Sequence, residues 1–321
     1  MFRNPVCVAV FCIATLISTV CLAQDYPSKA ITFITPASPG STADVMTRVM
    51  AERLASDLGK PVVVMNRTGG SGLIAARALL AAPPDGYTIY LSTLGTLAMN
   101  PHVLKEMPFD PAKALIPVAM AGSMPMVVAV NPKQTPVRSL KELFALSKKE
   151  PLTYGSPGAG STPAIAAALL ANRAGVQMTH VAYQGFSPAI LDVLAGRLTM
   201  VVPDIGTVRS YLSDGSLRAL AVSTTQRSKL APDVPTMKEM GYDVDVSLWY
   251  GVFVRAGTPL PIVDRLERAM RATMGSAAVQ KRWQELGLEN QLLIGADFAK
   301  FYQSELKRWG VLIPPLGIKL E

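Results

Sequence analysis

Residues 31–50, ITFITPASPGSTADVMTRVM, decide the architecture. Ile31 to Thr35 has the β-branched and aromatic content of a buried strand, and Pro36-Ala37-Ser38-Pro39-Gly40 breaks it. From residue 41 to residue 58 the pattern becomes helical, with Val45, Met46, Val49, Met50, Leu54 and Leu58 on one face. The same arrangement returns at 152–170, LTYGSPGAGSTPAIAAALL, where a strand at Leu152 to Gly155 leads into Ser156-Pro157-Gly158-Ala159-Gly160-Ser161-Thr162-Pro163. Both loops contain Ser-Pro-Gly, then Ser-Thr, then a helix. Glycine lets backbone approach a ligand, Ser or Thr caps a helix, and Pro163 suits a first turn that needs no N–H. Such loops expose unpaired N–H groups at a helix N-terminus, which form an anion site. Each charge-assisted hydrogen bond is worth ~1.5–3 kcal/mol. A few from each loop reach the roughly −8 kcal/mol of micromolar binding after association costs. The alternative is a pair of well-capped strand–helix turns with no ligand.

Outward from these loops, strands and helices alternate. Further strands are expected at Val62 to Met65, Tyr87 to Ser92, Val127 to Val130, Thr199 to Val202, Leu217 to Val222 and Ser247 to Val254, with helices at Leu73 to Ala82 and near 138–149, 161–174 and 186–195. From Pro259 the pattern is helical only. The fold class is α/β: two lobes, each a mainly parallel sheet flanked by helices, with a ligand in the cleft between them. The expected division is a discontinuous first lobe (24–125 and 249–321) and a second lobe (126–248), hinged near 125 and 248.

The 321 residues suffice for such a core, being 50% hydrophobic and 17% charged. Residues 1–23 read as an export signal: Arg3, an apolar run from Val6 to Ile17, and Cys21-Leu22-Ala23 before a polar Gln24. Cleavage after Ala23 removes Cys7, Cys12 and Cys21, so the exported chain would carry no thiols in an oxidising compartment. The formal charge of +8 falls to +7 when Arg3 is lost, a mild excess compatible with anionic ligands and equally with plain solubility. No Lys/Arg run carries interleaved aromatics, which excludes nucleic acid as a partner. Two histidines leave little for metal chemistry, and no cofactor is expected.

Catalytic motifs are missing: there is no G-x-S-x-G elbow, no phosphate-binding G-x-x-x-x-G-K-[ST] and no H-E-x-x-H. Gly70, Gly72 and Ala75 fit a dinucleotide fingerprint. The next strand ends in Leu91-Ser92-Thr93 without the required acid, so a tight turn and cap is the better reading. His102, in a loop, and His180, on a short strand, read as satisfied structural residues, and nothing in the spacing pairs either with a serine.

The chain resembles the Bug-type receptors of tripartite tricarboxylate transporters over essentially its whole exported length. The landmarks run in order: Tyr26-Pro27-Ser28-Lys29, Pro39-Gly40 with Asp44, Pro61-Val62-Val63-Val64 leading to Asn66-Arg67, Ala82-Pro83 with Asp85-Gly86-Tyr87-Thr88, and Asn100-Pro101. Then come Tyr154-Gly155-Ser156, Gly160-Ser161-Thr162, Val181-Ala182-Tyr183, Leu217 to Val222, Pro232-Asp233-Val234-Pro235-Thr236 and Ala256-Gly257-Thr258-Pro259. The resemblance implies a two-lobed type II periplasmic binding fold, a periplasmic location and a small carboxylate ligand. It also implies membrane transporter subunits as partners, and the molecule is expected to be a monomer without catalytic activity. It places the ligand on Ala37, Ser38, Gly40, Ser41 and Thr42 in one loop and Ser156, Gly160, Ser161 and Thr162 in the other.

The family usually has an aromatic residue where this sequence has Ala37, and a second glycine where it has Ser41. Ala37 would enlarge the first pocket and Ser41 would add a hydroxyl near the anion, favouring an acid bulkier than aspartate. Strand ends supply further candidates: Thr93, Thr96 and Asn100 for polar contacts, Tyr183 and Phe186 for an apolar wall. Asp204 reads equally as a ligand residue and as the N-cap of a helix starting near Ile205. Trp249 and Tyr250 belong to the hinge strand rather than the pocket. A ligand sensor feeding a signalling partner and a secreted α/β hydrolase with a poorly marked nucleophile remain as alternatives.

Overall fold

The computed structural model describes residues 26–289 and 291–318; the export segment and its cysteines lie outside them. In chain order the strands are β1 (Ile31–Thr35), β2 (Val62–Asn66), β3 (Thr88–Thr93), β4 (Leu115–Pro125), β5 (Val127–Val130), β6 (Leu152–Ser156), β7 (Met178–Ala182), β8 (Met200–Val201), β9 (Arg218–Val222) and β10 (Ser247–Arg255). The helices are α1 (Thr42–Leu58), α2 (Leu73–Ala81), α3 (Asn100–Val103), α4 (Pro111–Ala114), α5 (Leu140–Leu146), α6 (Thr162–Ala174), α7 (Phe186–Leu194), α8 (Ile205–Ser213), α9 (Leu260–Gly275), α10 (Ala277–Leu286) and α11 (Ala296–Leu312). No helix among the described residues is long and apolar enough to cross a membrane.

Two five-stranded sheets organise these elements, in the orders β2-β1-β3-β10-β4 and β7-β6-β8-β5-β9. Four strands of each sheet run one way, while β10 in the first and β5 in the second run against their neighbours. The chain leaves the first sheet at Pro125 and returns at Ser247, and these two residues face each other across the β4–β10 pair. The sheets are thus two lobes joined at adjacent crossing points. Burial follows position in the sheet. Central β5 is buried at every residue, whereas edge strand β2 exposes Val63 and Met65 on its outer side.

β4 is an eleven-residue strand absent from the sequence reading. It contains Pro117, Gly122 and Pro125, which disfavour strand, and most of its residues are buried, so no alternation marks it. Pairing with β10 decides its conformation.

The helices after Pro259 pack on the first sheet, α9 against α1 and β4 and α11 against β4. On β10, Trp249 and Phe253 meet Phe298 and Tyr302 of α11, with ring centroids 5.3–6.1 Å apart. Gly251 between them is sterically required, because a Cβ there would lie 2.3 Å from Phe298 Cζ. Under this cluster Glu305 is 6% exposed. Its carboxylate accepts from Trp249 Nε1 (3.0 Å), Trp309 Nε1 (3.1 Å) and Arg308 (3.2 Å), the donors without which burying it would be costly.

Candidate functional site

β1 and β6 deliver the chain into the two loops, which close by the same turn. Ser41 N–H donates to Ser38 O at 3.2 Å and Ser161 N–H to Gly158 O at 3.0 Å. The Ser41 hydroxyl donates to Ser38 O (2.8 Å) and the Ser161 hydroxyl to Gly158 O (2.6 Å). The equivalence therefore runs Ser38 to Gly158, Gly40 to Gly160, Ser41 to Ser161 and Thr42 to Thr162. The repeated Ser-Pro-Gly is out of step by two residues, because Ala159-Gly160 separates it from Ser161 in the second loop. What repeats in three dimensions is the turn onto the helix. The Ser41 hydroxyl, expected to lie near the anion, here spends its proton on Ser38 O.

The loops differ at the third helical residue. In α1 this is Asp44, 2% exposed, which accepts from Gly40 N–H (2.8 Å), Asn66 Nδ2 (2.7 Å) and both Nε and an Nη of Arg48 (3.0 Å each). Burial works to raise the Asp44 pKa, but bonds from Arg48, Asn66 and Gly40 outweigh it and hold the carboxyl below its ordinary value. Asn66 also donates to Ala37 O at 2.9 Å, tying the end of β2 to the loop. In α6 the equivalent residue is Ala164, and Gly160 N–H is left without such a partner. Among the described residues no protein acceptor meets the N–H of Thr42, Ala43, Gly160 or Thr162. Gly40, expected to offer its amide, has instead given it to Asp44.

A third loop comes to the same place. Residues 69–72, between β2 and α2, hold Ser71 at a φ of +51°, in the left-handed region that disfavours a non-glycine residue. Its carbonyl accepts from Thr96 Oγ1 (2.8 Å) and Asn100 Nδ2 (3.4 Å), and Thr93 Oγ1 lies 3.2 Å from Thr96 Oγ1. Thr96 and Asn100, expected to meet ligand directly, thus brace Ser71; Asn100 Oδ1 remains buried without a partner. The sequence alone marks this loop as a turn and does not single out Ser71. A serine between glycines at a strand end was the available signal.

Three approaches join the lobes here. A Cβ on Gly158 would lie 3.6 Å from Ser71 Oγ. A Cβ on Gly95, in the π-helical turn Gly95–Met99 after β3, would lie 2.9 Å from both the nitrogen and the hydroxyl of Thr162. The Thr42 hydroxyl bonds toward the Asp204 carboxyl. Asp204 is the N-cap of α8, accepting from Thr207 N–H (2.9 Å) and Thr207 Oγ1 (2.7 Å). Burial raises its pKa against these bonds, and burial together with Asp204 raises that of Tyr250 on β10. Capping and a place between the lobes are therefore combined in one residue.

Tyr183 borders the second loop, its N–H donating to Ser156 O at 2.9 Å. The Tyr183 hydroxyl donates to Asp192 Oδ2 (2.6 Å), and Asp192 is paired with Arg197 (2.9 Å to Nε). Burial and this carboxylate push the phenol up to about 12. Phe186 opens α7 and packs on the second core. Of the histidines, His102 Nε2 lies 3.0 Å from Leu306 O, a structural contact. His180 Nε2 lies 2.7 Å from Ser156 Oγ, a pairing that only the β6–β7 register reveals. A separate hollow of about 370 Å³ opens beside the crossing strands, lined by Ser123, Gln226, Asp245, Trp249, Glu289 and Arg308, and none of the loop residues borders it.

Residues 46–318 match the family model described as tripartite tricarboxylate transporter family receptor. The chain is 32% identical to the protein BugT of Bordetella pertussis, covering 100% of this chain and 99% of BugT. The solved structure of Rhodopseudomonas palustris Rpa4515 with adipate is 32% identical, covers 92% of this chain and 99% of that one, and superposes with a TM-score of 0.85. MatC of the same organism, with bound malate, is 28% identical, covers 89% and 99%, and gives 0.81. The chain therefore belongs to the receptor family of tripartite tricarboxylate transporters, a family of periplasmic solute-binding proteins.

Proposed function

We propose that this protein captures a small di- or tricarboxylate in the periplasm and delivers it to the membrane subunits of a tripartite transporter. The observation that carries this reading is a helix N-terminus from each lobe facing the other lobe, Thr42 of α1 at Asp204 and Thr162 of α6 at Gly95, with partnerless N–H groups at Thr42 and Ala43 on one side and Gly160 and Thr162 on the other among the described residues. A carboxylate between them gains charge-assisted bonds and the favourable ends of two helix dipoles, and lobe closure removes competing water. Thr42, Ala43, Gly160 and Thr162 form the grip, with Ser38, Gly40, Ser41, Ser156 and Ser161 shaping the turns. Thr93, Thr96 and Asn100 present the third loop. Ala37, small and half-buried, leaves room for an acid bulkier than aspartate. Adipate on one relative and malate on another favour a dicarboxylate.

Binding shifts an open–closed equilibrium whose closed form the membrane subunits read. Catalysis finds no support in the site. Ser156 is fully buried, its hydroxyl sits inside the loop's own hydrogen bonds, and no acid bonds to His180 among the described residues. Calorimetry and thermal shift across mono-, di-, tri- and aromatic carboxylates test the reading. Saturable binding, a raised melting temperature and an unchanged ligand are expected. Product formation, or no response to any acid, refutes it, and preference for aspartate over every larger acid refutes the size assignment.

A further inference from the structure

We propose that His180 is a positioning residue of the second anion loop, and that capture of the acid draws a proton onto its ring. The proposal rests on the carboxylate reading above. His180 sits on edge strand β7, opposite Tyr154 of β6, with ring centroids 5.0 Å apart. From there Nε2 reaches the Ser156 hydroxyl at 2.7 Å, where β6 becomes the loop.

The proton inventory fixes the direction of that bond. Gly158 O already accepts Ser161 N–H (3.0 Å) and the Ser161 hydroxyl (2.6 Å), which occupy both lone pairs. The Ser156 hydroxyl, at 3.0 Å from the same carbonyl, is better placed to donate to His180, while its oxygen accepts Gly158 N–H at 3.3 Å. Nε2 of the neutral ring is then an acceptor and Nδ1 carries the hydrogen. If the ring gains a proton, the bond reverses: Nε2–H donates to Ser156, whose own proton turns to Ser161 Oγ at 3.3 Å, since Gly158 O is full. The loop keeps a bonded geometry in both states, so the ring can titrate without breaking it.

What changes is charge. Ser156 Oγ lies 3.3 Å from Ser161 Oγ, the N-cap of α6, so a cation on His180 stands two hydrogen bonds from the helix end. In the unliganded protein burial opposes that cation, lowering its pKa from the ordinary value of 6.5, and the positive helix end opposes it further. Among the described residues no other charge acts on the ring. Tyr154, on β6, is neutral, with its phenol pushed up to about 12. β7 carries no other ionisable residue, and Arg173, the charged residue of α6, bonds to Asp243 O at the far end of that helix. A bound carboxylate cancels the opposition. The ring's pKa therefore rises on binding, and affinity increases as pH falls through the liganded value toward the unliganded one. A rise of one unit gives about a tenfold gain.

Titration calorimetry with malate and adipate from pH 8 to 5.5, in pairs of buffers differing in ionisation enthalpy, reads both affinity and protons taken up. The wild type is expected to take up part of a proton near pH 6 and to tighten several-fold, up to about tenfold, relative to pH 8. His180→Gln still offers Ser156 a partner but cannot titrate. It should bind within about threefold of wild type at pH 8, without the extra proton or the tightening. His180→Phe keeps the ring on Tyr154 but loses the bond, and should bind about 5–30-fold more weakly at every pH. NMR titration of wild-type His180, one of only two histidines, should show its pKa rise on saturation with acid, and needs no variant to fold. Identical proton uptake in wild type and His180→Gln, or a ring pKa unmoved by ligand, overturns this proposal alone. No binding by either acid at any pH overturns it together with the dicarboxylate reading.

Discussion

Gly95→Ala isolates the meeting of the two lobes. The new methyl carbon would stand 2.9 Å from the Thr162 nitrogen, 2.9 Å from its hydroxyl and 3.4 Å from Gly160 O. Ordinary contact begins near 3.5 Å, so the loops must separate by about 0.5–1 Å, and two of the three atoms are backbone with no side-chain freedom to yield. A bond of 2.9 Å stretched by that amount no longer counts as one. Losing one or two charge-assisted bonds at ~1.5–3 kcal/mol each weakens malate or adipate binding by about 10-fold to more than 100-fold. The lobes themselves should not suffer, because the clash lies only between them and alanine in a helical turn is favoured over glycine by up to ~1 kcal/mol. Calorimetry gives the affinity and a ligand-free melt gives the stability. Wild-type affinity in the variant, or a fall in unliganded melting temperature matching the lost affinity, would refute the reasoning.

Asp44 and Asp204 predict opposite pH trends. The Asp44 carboxyl is held low, so its contribution is complete above the unfolded value near 3.9 and is lost as pH falls through the folded one. Asp44→Asn should cost about 1–3 kcal/mol at pH 7 in denaturant titrations, with the deficit shrinking only in acid; a deficit constant down to pH 2 contradicts this. Asp204 is held high, so its contribution is complete below the unfolded value and is lost as pH rises through the folded one. Asp204→Asn keeps the N-cap and should be at least as stable as wild type at pH 7, losing ground as pH drops toward 4; a large, pH-independent loss sinks that assignment. Trp249→Phe removes one indole donor from buried Glu305 and should lower stability by about 1–3 kcal/mol in thermal melts, where an unchanged melt would mean that Arg308 and Trp309 suffice. Arg308→Ala removes the partner of Asp245 (3.1 Å) and the cationic donor of buried Glu305 (3.2 Å), and should cost about 1.5–3 kcal/mol in thermal melts; a loss that vanishes in 0.5 M salt would mean that only the exposed pair with Asp245 counts.

The two-lobed architecture was legible because its signals are local. Ile31–Thr35 and Val127–Val130 are β-branched runs, and the α1 stripe repeats at helical spacing. β4 was not legible, since its prolines and glycine speak against a strand that only β10 and the C-terminal block complete. At the site, the loops onto α1 and α6 were readable from Ser-Thr after glycine, but their true alignment was hidden by the displaced Ser-Pro-Gly. The bonds that join Asp44 to Asn66, Ser71 to Thr96 and Ser156 to His180 span 22, 25 and 24 residues. No periodicity encodes contacts at that separation; they follow from strand register.

The adjacent crossing points have a consequence for inheritance. β5 to β9 are supplied by one unbroken run of chain, residues 127–222, entered just past Pro125 and left just before Ser247. Those two residues are antiparallel partners, with Cα atoms about 4.5–5.5 Å apart. A recombination event that cut at both would lift out a whole jaw as a cassette and leave a gap that two or three residues could bridge. Relatives could therefore trade one half of the ligand grip while the other half, with its aromatic C-terminal buttress, stays in place.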